Sequence, residues 1–246
     1  MCIVHSTLQD ATTQYTNRYL LIMKNRKRHI ERFYSLLEFL ESKSSKKLLM
    51  SCSKSDFPEQ GIYFFFENSE TRENGKPRVV RIGTHAVSKG SKATYWNRLK
   101  QHKGTNNGFG NHRGSVFRKL IGQSIIEKNN LNNYPFWGKK IKKSLIETEK
   151  EHELKVSQYL GKMPFLTLNV PGQSSKYNDR AYIETNSIAL ISNLNKEKID
   201  KPSESWLGYF SKHKDVIESG LWNSDDTEKN YVPDFLDKLE QLIIKQ

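Results

Sequence analysis

The chain has 246 residues, 35% of them hydrophobic and 11% aromatic, and a formal net charge of +13. The length suits one large domain or two small ones, and the aromatic content excludes wholesale disorder. Cys2 and Cys52 lack CxxC spacing, which excludes a thiolate zinc site; no apolar run approaches the roughly 20 residues of a membrane span and no basic, apolar leader is seen, so a soluble, cytoplasmic protein with no membrane partner is expected.

Residues 14–50 read as helical, with Leu20, Leu21, Met23, Ile30, Phe33, Tyr34, Leu36, Leu37, Phe39 and Leu40 near helical spacing. The basic patch Lys24 to His29 reads as a solvated helix face or a phosphate contact. Ser51 to Gln60, with Pro58, reads as a linker. Gly61 to Phe66 is a strand by composition, and Arg78 to Gly83 is the returning strand of a hairpin signalled by Asn74-Gly75. Thr94 to Lys103 reads as a helix stopped by Gly104, and Ser115 as the N-cap of a helix through Leu120. Helices over Leu145–Leu160 and Tyr182–Asn193 flank a third strand, Phe165 to Val170. The acids Glu147, Glu149, Glu151 and Glu153, with His152, read as a solvated helix face. Beyond Pro202 the pattern is helical and ends on Phe235, Leu236, Leu239, Leu242 and Ile243. The order predicts an α+β fold with a small, mostly antiparallel three-stranded sheet flanked by helices. It divides into an N-terminal helical region (1–57), a core (58–198) and a C-terminal helical extension (199–246).

The charge is unevenly spread. From Arg78 to Lys143 there are fifteen Lys or Arg and one acid, Glu127. A solubility surface would interleave both signs; a stretch nearly free of carboxylates points to a nucleic-acid partner.

Gly61-Ile62-Tyr63, Arg81-Ile82-Gly83, Arg98 with His102 four residues later, and a downstream Glu184 together resemble the GIY-YIG nuclease superfamily. The similarity is to a bacterial branch with RIG in place of YIG. Arg98 and His102 share one helix face. The resemblance implies a GIY-YIG-like core and a metal-dependent endonuclease that hydrolyses DNA, with a restriction- or defence-like role by analogy. It implies Glu184 as ligand of one Mg²⁺ or Mn²⁺, a hard cation that keeps most of its waters. Tyr63 would act on the attacking water; a free phenol titrates near ~10, so nearby cations such as Arg81, Arg98 and His102 would have to help. Arg98 would bind the scissile phosphate, and His102 would accept a proton or hydrogen-bond Tyr63. Asn193 or Asn195 stands where the family has a late asparagine, with Asn193 the preferred candidate. Arg81, His85, Lys103, His112, Arg113 and Arg118 are candidate nucleic-acid contacts, with the glycine-rich loop Gly104 to Ser115 as either a phosphate-following or a merely flexible segment. An inactive nucleic-acid-binding module and an RNA nuclease are the competing expectations. A homodimer would suit a cutter of palindromic duplexes.

Overall fold

A computed structural model describes residues 25–85, 90–91, 93–175 and 177–246. The hairpin of the two triplets forms its centre. Strand β2 (Gly61–Thr71) pairs antiparallel with β3 (Pro77–Gly83) and, on its other edge, with β4 (Pro164–Asn169). The two-residue β1 (Lys47–Leu48) pairs with β4, so the sheet has four strands in the order β1-β4-β2-β3. The α+β expectation holds, with one strand more than expected.

That strand lies where the apolar pattern predicts a continuation of the first helix. The described part of helix α1 spans 25–43; Leu20, Leu21, Met23 and Lys24 lie outside the described residues. The helix stops in Ser42-Lys43-Ser44-Ser45, where Ser42 Oγ donates to the Phe39 carbonyl and competes with the helical ladder. The hairpin also differs. Its polar segment Glu67 to Thr71 is strand, and the turn is tight, closed by Arg72 N–H on the Lys76 carbonyl at 2.9 Å. The polar run stays extended because its acids have partners. Glu70 accepts from Ser203 N–H and Oγ, Glu67 accepts from Trp222 Nε1, and buried Arg78 lies between Glu70 and Asp200.

Helices follow as α2 (Tyr95–Lys103), α3 (Val116–Lys128), α4 (Lys150–Gly161), α5 (Asp179–Ile191), α6 (Lys214–Ser219) and α7 (Phe235–Ile244). Alternation along β2 splits them into two layers. Ile62, Phe64 and Phe66 pack with Leu166 and Leu168 against α1, α5 and α7 in one hydrophobic cluster. Tyr63 and Phe65 point the other way, onto Leu99 of α2, Phe117 and Ile121 of α3 and Val156 of α4. Residues from the N-terminal region, the core and the C-terminal extension therefore share one cluster. The boundaries at 57 and 198 do not separate packing units.

The basic patch at the start of the described part of α1 is not a solvated face at Arg26. This guanidinium is buried and donates to the carbonyls of Leu190, Glu197 and Ser192, tying the start of the described chain to the end of α5. Among the described residues no helix is long and apolar enough to cross a membrane.

Candidate active site

The two triplets meet face to face. Tyr63 and Gly83 are register partners, and a Cβ on Gly83 would lie 2.1 Å from Tyr63 Oη. The last residue of the second triplet must lack a side chain because the phenol of the first occupies its place. Tyr63 Oη is 2.9 Å from His102 Nε2, and His102 Nδ1 is 2.8 Å from Ser115 Oγ. All three residues are buried. Burial holds the His102 imidazole well below the usual histidine range, and Arg81, Arg98 and Arg118 push the same way. His102 is therefore neutral.

Glu184 comes to the site from the opposite layer. It sits in the second turn of α5, and its Oε1 accepts the Thr84 N–H at 3.0 Å, one residue past the second triplet. Thr84 Oγ1 in turn donates to the Gly61 carbonyl at 2.6 Å, joining both triplets to the glutamate. Burial pushes the Glu184 carboxyl up to about 7; Arg81 pulls it down, Asp226 raises it further, and the Thr84 hydrogen bond and Arg98 lower it. Asp226 is held by Thr185 Oγ1 at 2.7 Å and by Lys229. Arg98 is half-buried on α2, and its guanidinium donates to Gln101, one residue before His102. It acts on the charge of both His102 and Glu184. Tyr63, Arg98, His102 and Glu184 thus converge on one end of the hairpin.

Asn193 does not join them. It follows α5, its Nδ2 donates to the carbonyls of Asp200 and Ser219, and it lines a cavity of about 890 Å³ with Arg26, His29 and Tyr231. Its amide joins chain segments there, so the assignment of a catalytic role is corrected to a structural one.

Of the expected nucleic-acid contacts, Arg81, His85, His112 and Arg118 are buried, and Lys103 and Arg113 are partly exposed. Arg81 is buried, stacks 4.7 Å over the Phe117 ring and donates to the Trp222 carbonyl. His85 is buried and neutral, driven down to about 4 by burial and then by Arg180. Arg118 is buried and donates to Glu153, Ser157 Oγ and the His102 carbonyl. His112 donates from Nδ1 to Glu153 and accepts the Gly138 N–H on Nε2. Arg113 makes a two-pronged pair with Glu149 and reaches the Lys139 carbonyl at 2.8 Å. Lys103 donates to the Cys52 carbonyl. These side chains are engaged with the fold, and none presents a free charged head to a phosphate.

Their acids are Glu149 and Glu153, both buried, which corrects the solvated-face reading of that segment; only Glu147 and Glu151 lie on an open face, each paired with a lysine. The glycine-rich loop is shaped by the same network. A Cβ on Gly110 would lie 2.1 Å from the Arg118 guanidinium. Between this loop and α2 runs an open groove of about 540 Å³, lined by Asn97, Lys100, Gln101, Gly104, Thr105, Gly110, Asn111 and Gly114, with no acid on its walls.

Thr84, Ser115, Glu153 and Trp222 serve the site without a motif that marks them in the sequence. Ser115 is legible as an N-cap, which it is, since its Oγ accepts the Arg118 N–H. Its second bond, to His102, has no local signal.

A family model, the GIY-YIG domain, matches residues 24–246. No curated protein matches. No solved structure matches either.

Proposed function

This chain belongs to the GIY-YIG domain family, and from that premise we propose that it is a divalent-metal-dependent endonuclease hydrolysing phosphodiester bonds in DNA. The observation that carries the reading is the convergence of Tyr63, His102, Arg98 and Glu184, drawn from both layers of the sheet, at the end of one hairpin.

The donor set fits a hard cation. One Glu184 oxygen is held by Thr84 N–H, which leaves the other for a metal. Among the described residues no group of three or more His, Cys, Asp or Glu is assembled. A single carboxylate suits Mg²⁺ or Mn²⁺ bound largely through water. Such an ion would supply Lewis-acid charge on the phosphate and a more acidic bound water. Arg98 provides the permanent, forked positive charge that stabilises the phosphate as its charge develops. Tyr63 orients the attacking water, and His102 holds the phenol from behind. Glycine and amide side chains in the groove beside α2 let a nucleic-acid backbone approach closely, with Lys100 supplying charge.

Arg81 supports a second reading. It replaces the second tyrosine of the family pattern and donates to the Trp222 carbonyl inside the fold, which leaves a binding module without catalysis as the rival. One experiment separates them. Supercoiled plasmid is incubated with the protein at several Mg²⁺ concentrations, beside Glu184→Ala. Metal-dependent nicking lost in the variant supports the enzyme; retained DNA binding with no nicking by either protein identifies the rival. Structured RNA of equal length in the same assay tests the choice of DNA, because A-form and B-form grooves differ.

A further inference from the structure

We propose that the segment Trp222 to Asp226 sets the gap between the second triplet and Glu184, with Asn223 as its positioning residue. Its catalytic meaning rests on the nuclease reading. The placement rests on hydrogen bonds of the fold alone.

β3 is an outer strand of the sheet. Such a strand turns the N–H and C=O groups of alternate residues away from its neighbour, where they need a partner. In β3 those residues are Val80 and Ile82, and a segment 141 residues downstream takes them up. Trp222 N–H donates to the Val80 carbonyl at 2.7 Å. The next rung is made by a side chain. Asn223 Oδ1 accepts the Ile82 N–H at 3.1 Å, and Asn223 Nδ2 donates to the Ile82 carbonyl at 2.9 Å. A backbone N–H only donates and a carbonyl only accepts, so these partners fix which end of the amide is which. Between the two rungs Arg81 donates to the Trp222 carbonyl. Two of the three residues of the second triplet are thus held from the C-terminal region. Trp222 is itself anchored, because its Nε1 donates to Glu67 of β2 at 2.7 Å.

The same segment continues to the opposite wall of the site. The chain bends at Asp226, whose φ of 65° is left-handed, a conformation that aspartate tolerates better than most residues. Asp226 Oδ2 there accepts from Thr185 Oγ1 at 2.7 Å, and Thr185 follows Glu184 on α5. Asn223 therefore fixes β3 two residues before Thr84, and Asp226 fixes α5 one residue after Glu184. The bond they bracket is Thr84 N–H to Glu184 Oε1, at 3.0 Å. A shift of either wall strains that bond and moves the carboxylate relative to Tyr63 and Gly83.

The test compares Asn223→Asp with Leu239→Ala. Aspartate has the shape of asparagine and still accepts the Ile82 N–H, but it sets an acceptor against the Ile82 carbonyl. Leu239→Ala weakens the fold far from this joint. In the native protein the Ile82 and Thr84 amides should exchange their hydrogens slowly. In Asn223→Asp both should exchange about 10-fold faster than any change in α1 accounts for, whereas Leu239→Ala should speed the amides of the core alike. Mn²⁺ affinity, read by electron paramagnetic resonance, should fall about 10-fold in Asn223→Asp and stay native in Leu239→Ala. In plasmid cleavage kcat should fall about 10²-fold in Asn223→Asp with KM for DNA unchanged, and hold in Leu239→Ala below its melting temperature. Native Thr84 exchange and Mn²⁺ affinity in Asn223→Asp overturn the proposal. So do equal losses in Leu239→Ala, which would trace them to stability. Should Asn223→Asp fail to fold, the native protein decides: an Ile82 amide that exchanges as fast as an exposed one overturns the proposal. If the native protein cuts nothing while Ile82 and Thr84 exchange respond as expected, the nuclease reading fails and the positioning of Glu184 survives.

Discussion

The two layers of the sheet are built on opposite terms. Beneath Ile62, Phe64 and Phe66 lie mainly apolar side chains from α1, α5 and α7, with Arg26, Tyr34 and Arg180 as buried polar exceptions that bond to Ser192, Asp200 and Val170. Above Tyr63 and Phe65 the packing is interrupted by buried Arg81, His102, His112, Arg118 and Glu153, each bonded to something far away in sequence. Burying an apolar side chain is favourable wherever it lands. A buried charge is tolerated only with its partner in place. The apolar layer therefore stores stability, and the polar layer stores geometry. What it positions is the Tyr63–His102–Ser115 line on one side of the hairpin, which Thr84 links to Glu184 on the other.

The hardest way to break that contrast is to remove one partner from the polar layer. Glu153 holds Arg118 and His112 at once, so Glu153→Ala should lose about 3–5 kcal/mol, as expected for an unpaired buried charge. Leu239→Ala in the apolar layer should lose a comparable ~2–5 kcal/mol by leaving a cavity. Denaturant melts measure both. The difference lies in the double variant Glu153→Ala/Arg118→Met, which should recover part of the loss, as buried pairs replaced by apolar groups do. No recovery would mean that the pair is not what makes the layer stable.

Next in size is a loss of function without a loss of stability. Arg98 is half-buried and engages only Gln101 among the described residues. Arg98→Ala should lower kcat about 10²–10³-fold, the range for removing one preorganised charge from a transition state. The melting temperature should stay within a degree or two of native. A large drop in stability would place Arg98 with Arg118 as a structural cation.

How much of this was written in the sequence follows the same division. The apolar layer is legible because alternation in Gly61–Phe66 and helical spacing in α1 and α7 are local patterns. The site was half legible. Tyr63, Arg98, His102 and Glu184 could be picked out by the order of the motifs, but the roles of Arg113 and Arg118 could not. Their charge is cancelled by Glu149 and Glu153, more than thirty residues downstream in each case, and only folding brings those together. A count of charges along the chain therefore overstates what remains for a ligand. Asn193 misled for the same reason: its amide bonds to carbonyls at 200 and 219.

A smaller effect separates the two ends of β2. At the far end from the site, burial raises the Glu67 carboxyl to about 7, against the hydrogen bond from Trp222. Its folded pKa lies above its unfolded one, so the folded state binds the extra proton between pH ~4.5 and ~7. Stability from this group is present below ~4.5 and falls as pH rises through ~7. Glu67→Gln, which can still accept from Trp222, should leave stability unchanged at pH 4.5 and raise it by about 2–3 kcal/mol at pH 8, from ~1.4 kcal/mol for each unit of pKa. The neutral histidines His85 and His102 work in the opposite sense. They favour the fold above pH ~6.5, and that contribution is lost as pH falls, through about 4 for His85 and well below the ordinary histidine range for His102. The native profile should thus be flatter between pH 4.5 and 6.5 than Glu67 alone or the two histidines alone would make it. Glu67→Gln should steepen its acid limb. An unchanged slope would show that Glu67 is ionised and well solvated in the fold.

The mildest prediction separates cations that the polar layer consumes from cations it leaves open. Arg113 clamps the loop after α3 through the carbonyls of Lys139 and Phe136, Trp137 Nε1 donates to the Lys119 carbonyl, and Gly138 N–H donates to His112. The loop is thereby held from below. Its outer side carries Lys139, Lys140 and Lys142, all exposed and none in an ion pair among the described residues, beside the exposed ring of Phe136. Cations buried in pairs release no counterions from DNA; free ones do. Replacing the three lysines by alanine should flatten the dependence of log K on log salt by up to about 0.9 for each phosphate no longer neutralised, with weaker binding at low salt and an unchanged kcat at saturating DNA. Arg113→Ala should produce the same flattening only indirectly, by loosening the loop, and with a loss of stability that the triple variant does not show. If the lysine variant keeps the native salt slope, the phosphate-binding charge lies elsewhere, and Lys100 in the groove beside α2 becomes the first residue to replace.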